Sequence, residues 1–293
     1  MTKNRVSFIG AGRVGTSLAF LLKTKGYDVI GITSRSIASA ERAATFMGNS
    51  ISYSNDLYVF IEDSDVVFIT TNDDAVAYVA EGISRNCQIK EDQIFIHTSG
   101  SLPSLVLKPL KDKGGIIASM HPLQTVANPE EGVKNIIGSI FAIEGDEKAF
   151  SVINEMVKKL EGVPFHLTED KKPLYHLAAV IACNYFVTLL DTSLEIFKLI
   201  NIDEEIGLEG LLKLVHGTMS NVERLGTKNA LTGPIARGDI ETVKGHIRAI
   251  KAFSPELLLL YKVLGDKTIK VATEKGTLKP EDAKKLKELF NIS

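Results

Sequence analysis

The chain has only two cysteines, Cys87 and Cys183, in 293 residues. They lie far apart, so they fit neither a disulfide framework nor a metal knuckle, and no metal is expected. It also lacks charge of one dominant sign. Lysine and arginine number 34 against 36 acidic residues, and the basic ones are scattered. A nucleic-acid footprint needs a basic patch, which this pattern excludes. Long apolar runs are missing too. The longest, Leu177 to Leu190, is broken by Asn184 and is too short for a bilayer. No repeat or low-complexity segment interrupts the sequence, and no signal-peptide pattern opens it. A cytoplasmic protein with no membrane or nucleic-acid partner is therefore expected. Hydrophobic residues make up 44% and charged residues 24%, the balance of a globular chain able to bury a sizeable core.

What is present begins at once. Val6-Ser7-Phe8-Ile9 runs into Gly10-Ala11-Gly12-Arg13-Val14-Gly15, and Val14, Leu18, Leu21 and Leu22 then recur at helical spacing. This is G-x-G-x-x-G after a strand and opening a helix, the setting of a dinucleotide-binding turn. The first glycine allows the tight turn, the second admits a pyrophosphate, and the third lets helix pack on strand. The helix N-terminus adds free N–H groups and partial positive charge. The next strand, Asp28 to Thr33, ends in Ser34-Arg35-Ser36. An NAD site would carry an acid here for the ribose 2′-hydroxyl. Arginine between two hydroxyls suits a 2′-phosphate instead, so NADP(H) is read over NAD(H). The plainer alternative is that Ser34 and Ser36 cap the next helix and Arg35 is solvated.

Apolar β-type runs alternate with helical patterns through the first half. Strands are predicted near Val6–Ile9, Val29–Thr33, Ser50–Ser52, Val66–Thr70, Ile94–His97 and Ile116–Ser119. Two more, Ser139–Ile143 and Pro164–Leu167, flank a helix from Glu147 to Leu160. Such alternation implies an α/β, doubly wound (Rossmann) sheet. After Thr168 the pattern becomes all helical. This predicts a nucleotide-binding domain over residues 1–168 and an all-α domain over 169–293. The first helix of the second domain, Pro173 to about Ile200, is apolar on most faces and is expected to be buried on most sides. One small domain cannot cover it, so a homodimer through the helical domain is inferred.

Several polar residues stand where a core would not want them. Thr71-Asn72-Asp73 and Ser99-Gly100 follow strands, where such sheets bind ligands. They are placed to line the nicotinamide side of a crevice, with a helix cap (Asp73) and a simple turn as alternatives. His121 again follows a strand, and Pro122 stiffens its exit. Lys172, His176 and Asn184, four and eight residues apart, should share one helix face. A lysine or histidine beside a carbonyl can supply a proton, and an asparagine amide can hold substrate. The alternative is a solvated Lys172 with His176 and Asn184 bonded to backbone. Arg237, in Ile235-Ala236-Arg237-Gly238-Asp239, is a candidate clamp for a carboxylate or phosphate, or else an ion-pair partner of Asp239. Asp239 is a candidate cap, and His246 follows on the next helix.

The glycine turn, His121-Pro122-Leu123-Gln124, Tyr175-His176-Leu177-Ala178-Ala179 leading to Asn184-Tyr185, and Leu231 through Asp239 carry a resemblance over nearly the whole chain. The chain resembles proteins in which a Rossmann-like domain precedes a domain of unknown function 2520. These look like distant relatives of 6-phosphogluconate dehydrogenases, pyrroline-carboxylate reductases and ketopantoate reductases. The resemblance implies an NADP-dependent reductase with a helical dimerisation domain and an active site between domains. Ketopantoate reductases and hydroxyacid dehydrogenases place Lys and Asn four residues apart on the first interdomain helix. Here Val180 stands four residues before Asn184, so the proton would come from His176 or Lys172. The expected reaction is NADPH-dependent reduction of a small 2-oxo acid or related carbonyl. A pyrroline-carboxylate type of imine reduction and a non-catalytic NADP(H)-binding protein are the alternatives.

Overall fold

A computed structural model describes residues 4–291. The chain divides into two compact units, one closing at Asn184 and the other opening at Tyr185. The first unit thus runs past the Thr168 boundary expected from the sequence.

The first unit is one eight-stranded sheet of order β3-β2-β1-β4-β5-β6-β7-β8. Its strands are β1 (Arg5–Ile9), β2 (Asp28–Thr33), β3 (Ser52–Ser54), β4 (Val66–Ile69), β5 (Ile94–His97), β6 (Ile116–Pro122), β7 (Ile140–Gly145) and β8 (Val163–His166). Its helices are α1 (Arg13–Thr24), α2 (Ile37–Phe46), α3 (Asp73–Asn86), α4 (Lys108–Lys111), α5 (Pro129–Ile136), α6 (Glu147–Lys159) and α7 (Lys172–Ala179). The central strands are apolar on both faces, as a sheet covered by helices on each side requires. Phe8, Phe68, Ile32, Leu18 and Leu22 fill one core cluster, and Ile9, Val67, Ile69, Phe95 and Leu107 fill another. Phe8 and Phe68 stack with ring centroids 4.8 Å apart.

The doubly wound sheet is as expected except at one junction. β6 and β7 pair antiparallel, from Ala118 opposite Gly145 to Pro122 opposite Phe141. That pairing carries β6 three residues beyond the predicted end at Ser119. His121 therefore lies within a strand, not after one.

The second unit is helical, as predicted. It holds α8 (Tyr185–Leu199), α9 (Glu204–Ala230), α10 (Pro234–Arg237), α11 (Ile240–Phe253), α12 (Leu258–Lys275) and α13 (Pro280–Leu289). Its core gathers Val243, Ile269, Ala272, Leu286 and Phe290. Gly226, at φ 74°, kinks α9.

Within the single chain the first helix of the predicted second domain is uncovered: Leu177, Ile181, Tyr185 and Val187 are exposed, and no residue of α8 is buried, on the helix whose cover the sequence reading assigned to a second copy. By length and composition alone the helical run Glu169–Leu199 is apolar enough to cross a membrane, which is weak evidence by itself. Counting only unbroken apolar residues understated its length. It is also not one regular helix. Val180–Asn184 forms a π turn between α7 and α8. The wider turn shifts the angular register away from that of a regular helix.

Candidate functional site

Two of the cavities within the first unit are lined by the candidate residues. One, of about 290 Å³, is lined by Gly10, Ala11, Gly12, Ser34, Arg35 and Thr71, with Asn72, Leu57 and Tyr78 among its other walls. Gly10 has φ +115°, a conformation that L side chains rarely adopt, and a Cβ there would lie 2.6 Å from the Thr70 carbonyl carbon. Thr70 Oγ1 fixes the turn by donating 2.7 Å to the Gly10 carbonyl. Gly12 caps α1 without any side-chain hydrogen bond, so the first-turn N–H groups face outward unsatisfied by a cap. Thr71 Oγ1 is buried with no hydrogen-bond partner. Arg35 is exposed on the rim, and among the described residues its guanidinium makes no ion pair. Free helix N–H groups, an orphaned hydroxyl and an unpaired guanidinium are the donor set that a phosphorylated nucleotide needs.

Not every cofactor candidate reaches this cavity. Gly15 is buried under the turn, where a Cβ would lie 2.3 Å from the Gly10 carbonyl oxygen. Arg13 is exposed and Val14 packs against the core, neither among the cavity walls. Ser36 is the N-cap residue of α2 but makes no side-chain cap bond. The capping alternative for Ser36 therefore has no bond to support it. Asp73 opens α3 without capping it; Asn72 holds the cap position. The Asp73 carboxylate instead accepts from Ser99 Oγ and Ser101 Oγ, each at 2.8 Å. Ser99 and Gly100 thus form a turn anchored to Asp73 and stand outside the walls of the nucleotide cavity.

The second cavity, of about 410 Å³, is lined by His121, Gln124, Tyr175, His176, Cys183 and Asn184, with Ala178, Ala179 and Ala182. His121 Nδ1 lies 2.9 Å from the Tyr175 hydroxyl, and the two rings meet edge to face at 5.6 Å. Burial, with Lys172 and His176 nearby, pushes the His121 imidazole down to about 4, so it is neutral at pH 7. Burial pushes the Tyr175 phenol up to about 12. Gly100 joins the two histidines: a Cβ on it would lie 2.9 Å from His121 Nε2 and 3.0 Å from His176 Cδ2. Only a glycine lets this turn approach both rings.

Lys172 is not on the cavity wall. It is 1% exposed. Its ammonium donates to the Ser99 carbonyl at 3.1 Å, to the Leu102 carbonyl, and to Ser119 Oγ at 2.7 Å. All three hydrogens are used, which corrects the alternative of a solvated Lys172. Glu144 Oε2 lies 3.8 Å away. Burial drives the Lys172 ammonium down to about 8, against the opposing pull of Glu144 and Asp73.

Sequence reasoning missed Tyr175 as a site residue in its own right, and it missed Glu144. Tyr175 stood beside His176 in a quoted motif, a signal present but unused. Glu144 lay inside an apolar strand, and a lone acid in Ile140–Gly145 was the available signal. In the second unit, Asp239 caps α11 by accepting from the Thr242 amide at 3.1 Å. Arg237 ends α10, exposed and in no ion pair with Asp239 among the described residues. His246 Nδ1 lies 2.9 Å from the Tyr261 hydroxyl, an arrangement inside that unit's own packing. No group of His, Cys, Asp and Glu among the described residues is placed to hold a metal.

The Rossmann-like domain family matches residues 1–122, and the domain of unknown function DUF2520 matches residues 139–268. The chain carries both domains, in the order its motifs indicated. A Bacteroides fragilis structure described as an NADP oxidoreductase is 24% identical, with a TM-score of 0.72 over 92% of this chain and 99% of that one. A Thermotoga maritima protein is 28% identical, with a TM-score of 0.70 over 92% and 97%. A pyrroline-5-carboxylate reductase from Coxiella burnetii is 15% identical, with a TM-score of 0.62 over 98% and 99%. Among curated proteins, a glutamyl-tRNA reductase from Sulfolobus acidocaldarius is 26% identical over 165 residues. The match spans 56% of this chain and 33% of that protein.

Proposed function

We propose that this pairing of a Rossmann-like and a DUF2520 domain is an NADP(H)-dependent oxidoreductase that reduces a small 2-oxo acid or related carbonyl. The observation that carries the reading is the first cavity, where an uncapped helix N-terminus, the orphaned Thr71 hydroxyl and Arg35, without an ion pair among the described residues, surround one glycine turn. Arg35 would take the 2′-phosphate, and the first-turn amides of α1 the pyrophosphate. When bound, the nicotinamide supplies a hydride. The chain's own task is then to hold the acceptor and deliver a proton. With the Tyr175 phenol donating to His121 Nδ1, the imidazole hydrogen sits on Nε2 and is available to a substrate oxygen. A neutral imidazole donor stabilises charge growing on that oxygen without giving up its own proton. His176, across Gly100, supplies the proton, and Asn184 on the cavity wall orients the substrate. The exposed apolar side of α8 supports a homodimer through the helical domain.

Imine reduction of the pyrroline-carboxylate type is the second reading. It is favoured by the likeness to the Coxiella burnetii reductase and by a cavity wall without Lys, Arg, Asp or Glu.

Fluorescence titration of NADPH and NADH tests the cofactor. NADPH should bind much more tightly, and Arg35→Ala should weaken it about tenfold or more, the scale of a lost charge-assisted hydrogen bond. Equal affinity for both nucleotides in wild type and variant would remove Arg35 from the site. His176→Ala should lower kcat about 100-fold at unchanged NADPH affinity. Turnover compared on ketopantoate and pyrroline-5-carboxylate separates the two reductase readings. Tight NADPH binding with no turnover on either class would favour a non-catalytic NADP(H)-binding protein.

A further inference from the structure

Behind the second cavity lies a buried charged cluster to which the reaction above assigns nothing. Glu144, on β7, is 5% exposed. Its carboxylate accepts the Ser104 amide at 2.7 Å and the Ser104 hydroxyl at 2.6 Å. It also accepts the Ser119 hydroxyl at 3.4 Å, and Ser119 in turn accepts from Lys172. Lys172 comes from α7, Ser119 from β6, and Ser104 from the crossover that follows β5. Four segments far apart in sequence therefore meet on two opposite charges out of water. An isolated buried charge is costly, and such a pair persists only when its remaining lone pairs and hydrogens are bonded. Here they are. The serines fill the carboxylate, and the carbonyls of Ser99 and Leu102 fill the ammonium.

Those two carbonyls bracket Gly100, the residue packed against His121 Nε2 and the His176 ring. Ser99 Oγ also takes the amides of Ser101 at 3.2 Å and Leu102 at 3.0 Å. We propose that Lys172 and Glu144 form a positioning pair that pins the Ser99–Leu102 turn beneath His121 and His176 and keeps a positive charge beside His121. The pair touches no substrate. It sets where Gly100 sits, and so how the two imidazoles face the cavity. The field is local: His121 is faced by Lys172 and His176 as like charges, by Asp73 as the opposing one, and by the Tyr175 hydroxyl. Glu144 matters by favouring the ammonium form of Lys172, ahead of Asp73, and by holding it through Ser119. The functional weight of this pair rests on the reductase reading; its existence as a clamp does not.

The test uses the full chain without nucleotide or substrate, so it stands apart from any assay of turnover. Histidines are labelled with ¹⁵N and titrated by NMR in wild type, Lys172→Met, Glu144→Gln and Glu144→Asp. Amide exchange is followed at Ser101 and Leu102. Lys172→Met should raise the His121 midpoint by about one unit or more and speed exchange at both amides at least tenfold. Glu144→Gln leaves Lys172 protonated at the pH where His121 titrates, so it should speed exchange at both amides without raising the His121 midpoint, and Glu144→Asp, which keeps the charge, should restore most of the protection. In Lys172→Met, a merely structural contact would move exchange without moving the His121 midpoint toward higher pH. If Lys172→Met does not fold, Glu144→Gln decides. A folded Glu144→Gln with wild-type exchange at both amides overturns the proposal.

Discussion

Replacing Gly15 by alanine should destabilise the first unit by about 3 kcal/mol and abolish nucleotide binding at micromolar concentration. Two effects of opposite sign compete. Gly15 lies inside α1, where alanine is the better helix former by roughly 0.8–1.0 kcal/mol. Propensity alone predicts a more stable protein. The packing says otherwise. The new methyl would stand 2.3 Å from the Gly10 carbonyl oxygen and 2.3 Å from Thr70 Oγ1. One atom belongs to the turn and the other to Thr70, just past β4, whose hydroxyl already closes the turn through its bond to that carbonyl. Neither is the far end of a flexible side chain, so helix or strand must move. Overpacking of a well-filled core costs about 1–3 kcal/mol, and backbone neighbours sit at the upper end. Thermal denaturation of the two proteins decides it: a melting temperature equal to or above wild type would show that the turn gives way freely. Gly26→Ala is not a matched control, because its φ of +88° adds strain of its own. Gly210→Ala is matched. It lies in α9 with nothing within 4 Å of the added methyl and should gain, not lose, stability.

Lowering the pH from 7 to 5 should remove about 3–4 kcal/mol from the first unit, a large part of the stability of an ordinary domain. Two imidazoles are the cause. Burial, with Lys172 nearby, holds His97 down to about 3, and His121 is held at about 4. In the unfolded chain both return to about 6.5. Each is thus depressed in the fold, so the unfolded state binds more protons between pH 6.5 and the folded value. Stability is full above the unfolded value and falls as the pH drops, by about 1.4 kcal/mol per unit for each group. Lys172 adds no slope in this window. Its folded value of about 8 lies below the usual 10.5, and it is protonated in both states at pH 5 to 7. The stability that Lys172 does modulate changes only above pH 8. Urea denaturation of wild type, His97→Gln and His121→Gln at pH 7, 6 and 5 measures the effect. Each variant should lose about half of the wild-type slope. A wild type equally stable at pH 7 and pH 5 would show that neither imidazole is held neutral.

The nucleotide turn was legible because it is local. Gly10 to Gly15 and the Ser34-Arg35-Ser36 end of β2 are contiguous motifs whose roles follow from where a strand stops. The predicted strand Val6–Ile9 sits inside β1, and Val29–Thr33 fills all but one residue of β2. Ser50–Ser52, by contrast, is displaced from β3 by two residues, because so short an edge strand has little periodicity to fix its register. What could not be read depends on partners distant in sequence. The antiparallel β6–β7 pair places His121 inside a strand, and only the sheet order reveals it. The burial of Lys172 is set by carbonyls some 70 residues earlier, and nothing in Lys171-Lys172-Pro173 marks the second lysine as the inner one. Of Lys172, His176 and Asn184, the last two do line one cavity, across a π turn at Val180–Asn184 that a constant period does not anticipate, while Lys172 lies off its wall.

The site is unevenly open to change. Asp73 is bonded to Ser99 and Ser101, His121 to Tyr175, and Lys172 to the Ser99 carbonyl and, through Ser119, to Glu144, so altering one disturbs its partners. Ala178, Ala179 and Ala182, on the wall of the same cavity, offer it only methyl groups. A larger residue at any of them reshapes the room for a ligand while leaving every bond of the network intact. In a lineage carrying this fold, the reacting groups would be inherited as a block and the choice of ligand would drift beside them, one small side chain at a time.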